Sequence, residues 1–72
     1  MFNQKIFQVR LRELRLANNL KQEELANKVG ITKAAISNYE NGYKVPSVDI
    51  VCLLAETLGV STDYLLGRTD KK

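Results

Sequence analysis

The sequence predicts an all-α protein, a compact bundle of five short helices. Apolar residues recur at helical spacing along the chain, and no stretch alternates apolar and polar residues for long enough to predict a strand. Glycine and asparagine residues, which favour turns, divide this pattern into short segments. Seventy-two residues suffice for one domain at most, and a domain this small buries only about 60% of its unfolded surface. We therefore expect one domain with a small margin of stability.

The first helix is predicted over residues 4–18, because Phe7, Leu11 and Leu14 repeat at intervals of four and three. A pair of asparagines ends this segment. The second helix is predicted over residues 22–29. Its first turn contains two glutamates, which the positive end of a helix dipole stabilises.

Three more helices complete the pattern. The third is predicted over residues 32–41, the fourth over residues 48–58 and the last, which is short, over residues 63–66. Each begins at or after a serine or threonine that suits an N-cap, and the last has two candidate caps, Ser61 and Thr62.

Positive charge is concentrated near the N-terminus. The net charge is +3, and the first 21 residues hold five basic side chains against one acid, Glu13. A basic surface of this kind attracts phosphates, although a solvated helix face would show the same pattern. We place the domain at residues 1–67 and expect residues 68–72 to form a frayed, basic C-terminal tail.

The residue types present argue against catalysis and metal binding. The chain has no histidine, the commonest general base and zinc ligand. Its single cysteine, Cys52, allows neither an internal disulfide nor a cysteine-based metal site, so we expect no enzyme, no metal and no cofactor. The longest apolar run, residues 50–55, is far shorter than the roughly 18 residues of a membrane span. The N-terminus lacks the features of a secretory signal, and a cytoplasmic protein is expected.

The most informative segment is the tight turn between the second and third predicted helices. Gly30 supplies backbone freedom at the bend, and Ala26 has a small side chain that allows the two helices to approach closely. The outward face of the third helix then carries short or polar side chains. They are Lys33, Ala34, Ser37 and Asn38. Such a face suits insertion into a DNA groove, although the same residues also fit an ordinary polar surface.

This segment, QEELANKVGITKAAISNYENG, resembles the lambda-repressor and Cro-like helix-turn-helix proteins, also called the XRE family. The later segment LAETLGVSTDYLLG resembles the fourth and fifth helices of that family, so the likeness covers residues 7–67. It implies a sequence-specific DNA-binding protein, in the role of a transcriptional repressor, that inserts the helix of residues 32–41 in the major groove. It also implies a homodimer on a two-fold related operator, with half-sites about one helical turn, roughly 34 Å, apart.

The resemblance also implies roles for individual residues. Base contacts fall to four side chains of the third helix: Lys33, Ala34, Ser37 and Asn38. Phosphate contacts fall to residues on either side of them: Lys21, Gln22, Thr32, Asn41, Tyr43 and Lys44. An ion pair between Arg15 and Glu40 would tie the first helix to the end of the third, unless Arg15 contacts a phosphate or solvent instead.

Lys21 departs from the family pattern, which usually has a serine or threonine cap at that position. The second helix should therefore lack a side-chain cap worth about 1 kcal/mol. The long side chain of lysine is instead expected to extend toward a phosphate.

The fourth helix has more apolar residues than one core-facing stripe requires. Its core face is expected to contain Val48, Val51, Leu54, Ala55 and Leu58. The remaining apolar residues, together with three from the fifth helix, predict a homodimer interface: Ile50, Leu53, Thr62, Tyr64 and Leu65. Alternatives stay open, because these side chains could complete the core of the monomer or bind another protein. A protein-interaction module such as an antitoxin or adaptor, with DNA binding secondary, is therefore the second functional hypothesis.

Overall fold

The computed structural model describes residues 2–72. Across that range the chain is all-helical, without a strand, which confirms the predicted fold class. The helices are α1 Gln4–Ala17, α2 Gln22–Val29, α3 Lys33–Asn41, α4 Val48–Leu58 and α5 Thr62–Leu65. Every bound lies within one residue of its prediction.

Side chains cap the start of every helix but α2. The acceptors of these hydrogen bonds are the side chains of Asn3, Thr32, Ser47 and Ser61. α2 is the exception, as predicted, because the ammonium group of Lys21 has no acceptor atom. Its start is closed instead by Glu24, whose carboxylate accepts a hydrogen bond of 2.8 Å from the backbone N–H of Lys21.

The core contains side chains from every helix. The largest fully buried ones are Phe7, Leu11, Leu25, Ile36, Leu54 and Leu65. α2 and α3 pack against each other, α1 contacts both α3 and α5, and α4 lies against α2 and α5. Because one hydrophobic cluster joins all five helices, a change in one helix disturbs the packing of the others.

The burial of two residues differs from its prediction. Val48, predicted to face the core, is 78% exposed, because it lies in the first turn of α4 and borders an open groove. Leu65, predicted to lie in a dimer interface, is 0% exposed and belongs to the monomer core, where it anchors the single turn of α5. Ile50 and Tyr64 are half-buried against the core, which leaves Leu53 as the most exposed residue of the predicted interface.

The C-terminal segment, residues 68–72, is docked on the domain, and the expectation that it is frayed is wrong. Arg10 of α1 donates to the carbonyl oxygen of Thr69 at 2.7 Å and binds the carboxylate of Asp70 at 2.8 Å. A backbone N–H at the start of α5 donates to the carbonyl oxygen of Lys72 at 2.7 Å. These contacts fold the segment back along α5. The domain boundary at residue 67 stays a prediction.

Within residues 2–72, no helix combines the length and the apolar composition needed to cross a membrane. The same residues contain no group of acidic or cysteine side chains arranged to hold a metal ion.

Candidate nucleic-acid interface

The turn between α2 and α3 has the tight geometry that the sequence predicts. Gly30 adopts a left-handed conformation with a φ of 86°, and its N–H donates to the carbonyl oxygen of Ala26 at 2.8 Å. The N–H of Ile31 donates to the same oxygen at 3.0 Å. A side chain with a Cβ would be strained at that φ, so glycine both ends α2 and directs the chain into α3.

α3 has one face in the core and the other at the surface. Ile36 is fully buried, and Tyr39 packs against the core beside it. The predicted base-contacting residues lie on the other face. Lys33 and Ala34 are exposed there, and Ser37 and Asn38 are half-buried. The structure thus brings these four side chains together where a ligand can reach them. Their contact with bases stays a prediction.

A buried ion pair fixes the end of α3 to α1. The guanidinium of Arg15 binds the carboxylate of Glu40 through two hydrogen bonds, Nε to Oε2 at 2.6 Å and Nη2 to Oε1 at 3.1 Å. The Nη1 of Arg15 donates to the carbonyl oxygen of Leu20 at 2.9 Å, so the same side chain also holds the turn between α1 and α2. The ion pair expected from the sequence is therefore present, and Arg15 is buried in it rather than exposed to solvent.

Two further side chains donate to Glu40, and the sequence analysis assigned neither to it. The Nε of Arg12 lies 3.3 Å from Oε1 of Glu40, and the Nε2 of Gln22 lies 3.2 Å from the same oxygen. Gln22, predicted to contact a phosphate, thus joins the start of α2 to the end of α3 and keeps one N–H and its carbonyl oxygen for other partners. The signal that could have revealed Arg12 is its spacing, three residues before Arg15 on one helix face.

The surroundings of Glu40 lower its pKa. Burial raises the pKa of the carboxyl group, but hydrogen bonds from Arg15 and Gln22, the positive charge of Arg15 and a hydrogen bond from Arg12 lower it below its ordinary value of 4.5. Glu40 is therefore ionised at neutral pH. Two arginines share one glutamate, so the cluster carries a net positive charge beside the end of α3.

This pKa shift predicts how stability depends on pH. A carboxylate with a lower pKa in the folded protein than in the unfolded chain stabilises the fold at pH values above 4.5, and that contribution disappears as the pH falls through the folded-state pKa. We expect the free energy of unfolding, measured with urea from neutral to acidic pH, to fall more steeply below pH 4.5 in the wild type than in Glu40→Gln. Equal slopes in the two proteins would contradict the role of Glu40.

The other predicted phosphate contacts lie just before α2, at the two ends of α3 and in the segment after α3. All of them are exposed: Lys21, Thr32, Asn41, Tyr43 and Lys44. Gly42 turns the chain out of α3 with a φ of 81°, and the side chain of Gln4 donates to its carbonyl oxygen at 3.1 Å. A Cβ would be strained at this φ and would also displace the flexible amide end of the Gln8 side chain. The segment after α3 therefore passes close to α1.

Comparison with known proteins assigns the same segment to a family. A family model described as helix-turn-helix matches residues 11–65, which is most of the chain. The chain belongs to the helix-turn-helix family, in its lambda-repressor and Cro-like branch. Its helix-turn-helix motif consists of α2, the turn at Gly30 and α3.

Curated relatives of this helix-turn-helix chain are transcriptional regulators. The HTH-type transcriptional regulator YobD of Bacillus subtilis is 48% identical over 61 residues, which cover 85% of this chain and 54% of YobD. The cryptic phage CTXphi transcriptional repressor RstR of Vibrio cholerae is 38% identical over 65 residues, which cover 90% of this chain and 59% of RstR. The chain thus spans little more than half the length of these relatives.

A solved structure shows that the likeness extends beyond the motif. The P22 c2 repressor in complex with a synthetic operator superimposes with a TM-score of 0.84 at 30% sequence identity, over 89% of this chain and 97% of the repressor chain. The similarity therefore includes the helices that flank the motif. The chain carries a helix-turn-helix domain of the kind found in transcriptional regulators.

Proposed function

We propose that this helix-turn-helix domain binds double-stranded DNA sequence-specifically, with α3 in the major groove, and that it regulates transcription. The observation that carries the proposal is the outward face of α3, where short and polar side chains are accessible in place of large apolar ones. The major groove is about 12 Å wide and admits a helix of this kind. The similarity to a repressor that was crystallised on its operator supports the same placement.

Each residue on this face has a base edge that suits its chemistry. The ammonium group of Lys33 suits the O6 and N7 acceptors of guanine, and the amide of Asn38 suits the N6 donor and N7 acceptor of adenine. The methyl group of Ala34 suits apolar contact with the methyl group of thymine. The exposed residues at the two ends of α3 are then in place to hold the phosphates on either side.

The buried network around Glu40 supports this function by holding α3 in one position. Arg15 joins the end of α3 to α1, and Gln22 joins it to the start of α2. A helix that is already fixed in its bound orientation loses little conformational freedom when it binds, so more of the interaction energy appears as affinity.

Binding to DNA selected from a random pool is expected to weaken steeply as the salt concentration rises, because contacts to phosphates release counterions. Fluorescence anisotropy titrations at several salt concentrations measure this dependence. Lys33→Ala or Asn38→Ala should cost about 1 to 3 kcal/mol on the selected site and relax the preference at one base pair. Gln22→Ala or Lys44→Ala should weaken binding to all sequences alike.

Lys28→Ala is the matched control for these variants. Lys28 is an exposed lysine of α2 that lines a depression with Leu20 and Thr57 and with no residue of α3. Its loss removes the same charge and should leave the base preference unchanged. Binding without salt dependence, or identical effects from all four test variants, would contradict the proposed interface.

We also propose that the domain acts as a homodimeric repressor on a two-fold related operator. Leu65 is buried in the monomer, and of the other predicted interface residues only Thr62 borders an apolar groove of about 240 Å³, which we take as the surface for the second copy. Its lining residues are Phe2, Val45, Pro46, Val48, Val51, Cys52, Thr62 and Leu66. The wall formed by Val45 and Pro46 directly follows Tyr43 and Lys44, so the groove adjoins the proposed phosphate contacts.

The size of the domain agrees with this arrangement. One copy measures 27 × 23 × 19 Å. Two copies that meet beside the DNA can therefore place their α3 helices about one helical turn, roughly 34 Å, apart.

Val48→Asp is expected to abolish this dimer, because the side chain is highly exposed in the groove and an unpaired carboxylate is costly to bury. Analytical ultracentrifugation measures the oligomeric state of the free protein and of its complex with operator DNA. Leu16→Asp places the same charge on an exposed apolar residue of α1 and should leave the dimer intact. A Val48→Asp protein that remains dimeric would show that the interface lies elsewhere.

The same groove is the observation that favours a second candidate function, a protein-interaction module such as an antitoxin or adaptor. Under that function, Val48→Asp abolishes binding of the partner protein, and reversal of the charge at Lys33 leaves activity intact. DNA binding through α3 predicts a large effect at Lys33. The effect at Lys33 therefore separates the two functions, whereas Val48→Asp is expected to disrupt the groove under both.

A further inference from the structure

A chain of three hydrogen-bonded side chains runs from α1 to the outward face of α3. The Nη2 of Arg12 lies 3.5 Å from the Oδ1 of Asn41, and the Nδ2 of Asn41 lies 3.2 Å from the Oγ of Ser37. Arg15 already holds both oxygens of Glu40, so Arg12 adds only its Nε to that carboxylate, at 3.3 Å. The side chain of Arg12 is 51% exposed, and its Nη2 is left to contact Asn41.

Elementary chemistry determines the direction of each bond in this chain. A guanidinium group only donates, so the amide of Asn41 must present its oxygen to Arg12. The NH₂ group of Asn41 then faces Ser37 and donates to the hydroxyl oxygen. This bond occupies one of the two lone pairs of the hydroxyl oxygen and leaves its proton and the second lone pair free. A hydroxyl that accepts one hydrogen bond becomes a stronger donor, because the chain polarises its O–H bond.

We infer that Arg12, acting through Asn41, biases the Ser37 hydroxyl toward donating rather than accepting a hydrogen bond in the major groove. The inference rests on the proposed function and names the kind of base that Ser37 reads. Guanine, adenine and thymine each present an acceptor in the major groove, whereas cytosine presents only its N4 donor. Ser37 should therefore favour a base with an acceptor and disfavour cytosine at one position of each half-site. Arg12 and Asn41 are positioning residues for this choice.

The alternative is a serine whose hydroxyl has no preference between donating and accepting a hydrogen bond. A hydroxyl with no neighbour to orient it both donates and accepts, and it reads either kind of base edge. The inference therefore predicts a preference that depends on Arg12, a residue on a different helix from the one that enters the groove. Loss of a general positive charge cannot mimic this result, since phosphate attraction carries no sequence information.

The test is the base preference of variants, measured by anisotropy on the selected site and on copies of it with cytosine at each position. Ser37→Ala should lower the discrimination against cytosine by about 3- to 10-fold at one position of the half-site, which is the change in affinity expected for the loss of one hydrogen bond. That position is the one that Ser37 contacts. Arg12→Met should cause the same loss at the same position, and Arg12→Lys, which retains a donor, should preserve the discrimination. The double variant Ser37→Ala/Arg12→Met should lose no more than Ser37→Ala alone.

Asn41→Asp provides an outcome with the opposite sign. An aspartate accepts from Arg12 as the asparagine does, but it cannot donate to Ser37, so the hydroxyl proton should turn toward the carboxylate. The lone pairs of Ser37 then face the groove, and the preference should shift toward cytosine. Because a preference is a ratio of affinities for two sites, any uniform loss of phosphate contact at Asn41 cancels from it.

Failure of this inference is distinguishable from failure of the proposed function. A wild-type protein that selects no sequence would refute the function. The inference alone would be overturned by a different result. In that case the wild-type protein selects a site, and the Arg12→Met and Asn41→Asp variants melt normally and keep the discrimination against cytosine. Unchanged preferences in Ser37→Ala would also overturn it. If Arg12→Met does not fold, Asn41→Asp decides the question, since it replaces an exposed residue.

Discussion

Replacing Glu40 with alanine is expected to lower the free energy of unfolding by about 3 to 5 kcal/mol. The substitution leaves the guanidinium of Arg15 buried without the carboxylate that balances its charge. It also removes the acceptor shared by Arg12 and Gln22, so three helices lose their common contact. A domain of this length has a total stability on the order of 4 to 11 kcal/mol. The loss is therefore a large part of the whole, and urea titration followed by circular dichroism measures it.

Two controls separate the buried pair from a general effect of charge. Glu56→Ala removes an exposed glutamate of α4 and should change stability by less than about 0.5 kcal/mol. The double variant Arg15→Met/Glu40→Leu replaces both partners with apolar side chains and should recover much of the stability, because no unpaired charge is then buried. A loss from Glu40→Ala no larger than that from Glu56→Ala would show that the pair contributes nothing.

Phe7→Ala is expected to lower the free energy of unfolding by about 3 to 5 kcal/mol. Phe7 is 0% exposed, and its ring centroid lies 5.9 Å from that of Phe2. Its truncation opens a cavity in the cluster that joins all five helices, and the neighbours cannot close this cavity without losing their own contacts. For a domain of this size, each kcal/mol lowers the Tm by roughly 4 to 8 °C, so calorimetry detects the change readily.

Val9→Ala is the matched control for Phe7→Ala. Val9 lies in the same helix and is 53% exposed, so its truncation should change stability by less than about 0.5 kcal/mol. Both substitutions introduce alanine into α1 and therefore share any gain in helix propensity. Similar losses at the two positions would contradict the packing described for Phe7.

Much of the fold could be predicted because helix ends depend on local signals. Thr32 and Ser47 cap α3 and α4 through bonds to an N–H three residues later, and Gly30 and Gly42 end α2 and α3 in the left-handed conformation. The polar face of α3 is predictable for a similar reason. Residues three and four apart share a helix face, whatever the helix packs against.

The candidate site was predictable only in part. The family resemblance indicated the pairing of Arg15 with Glu40, and the spacing of Arg12 from Arg15 places both arginines on one helix face, but nothing local shows that the same carboxylate also accepts from Gln22. Arg12 and Gln22 lie 28 and 18 residues from Glu40 in the sequence, and they meet it only because α1, α2 and the end of α3 converge. The roles of the α3 side chains toward DNA stay predictions that the variants above test.

The sequence by itself determined, to within one residue, where each helix begins and ends, and which side of α3 is polar. The tertiary structure decided which apolar side chains are buried, leaving Val48 open to a groove and enclosing Leu65 in the core. It also decided that Arg10 holds Asp70, 60 residues along the chain. The physical reason is the distance along the chain over which each effect acts. Capping and periodicity depend on neighbours within a turn or two, whereas burial and long-range ion pairs depend on which element lies opposite once the helices have packed.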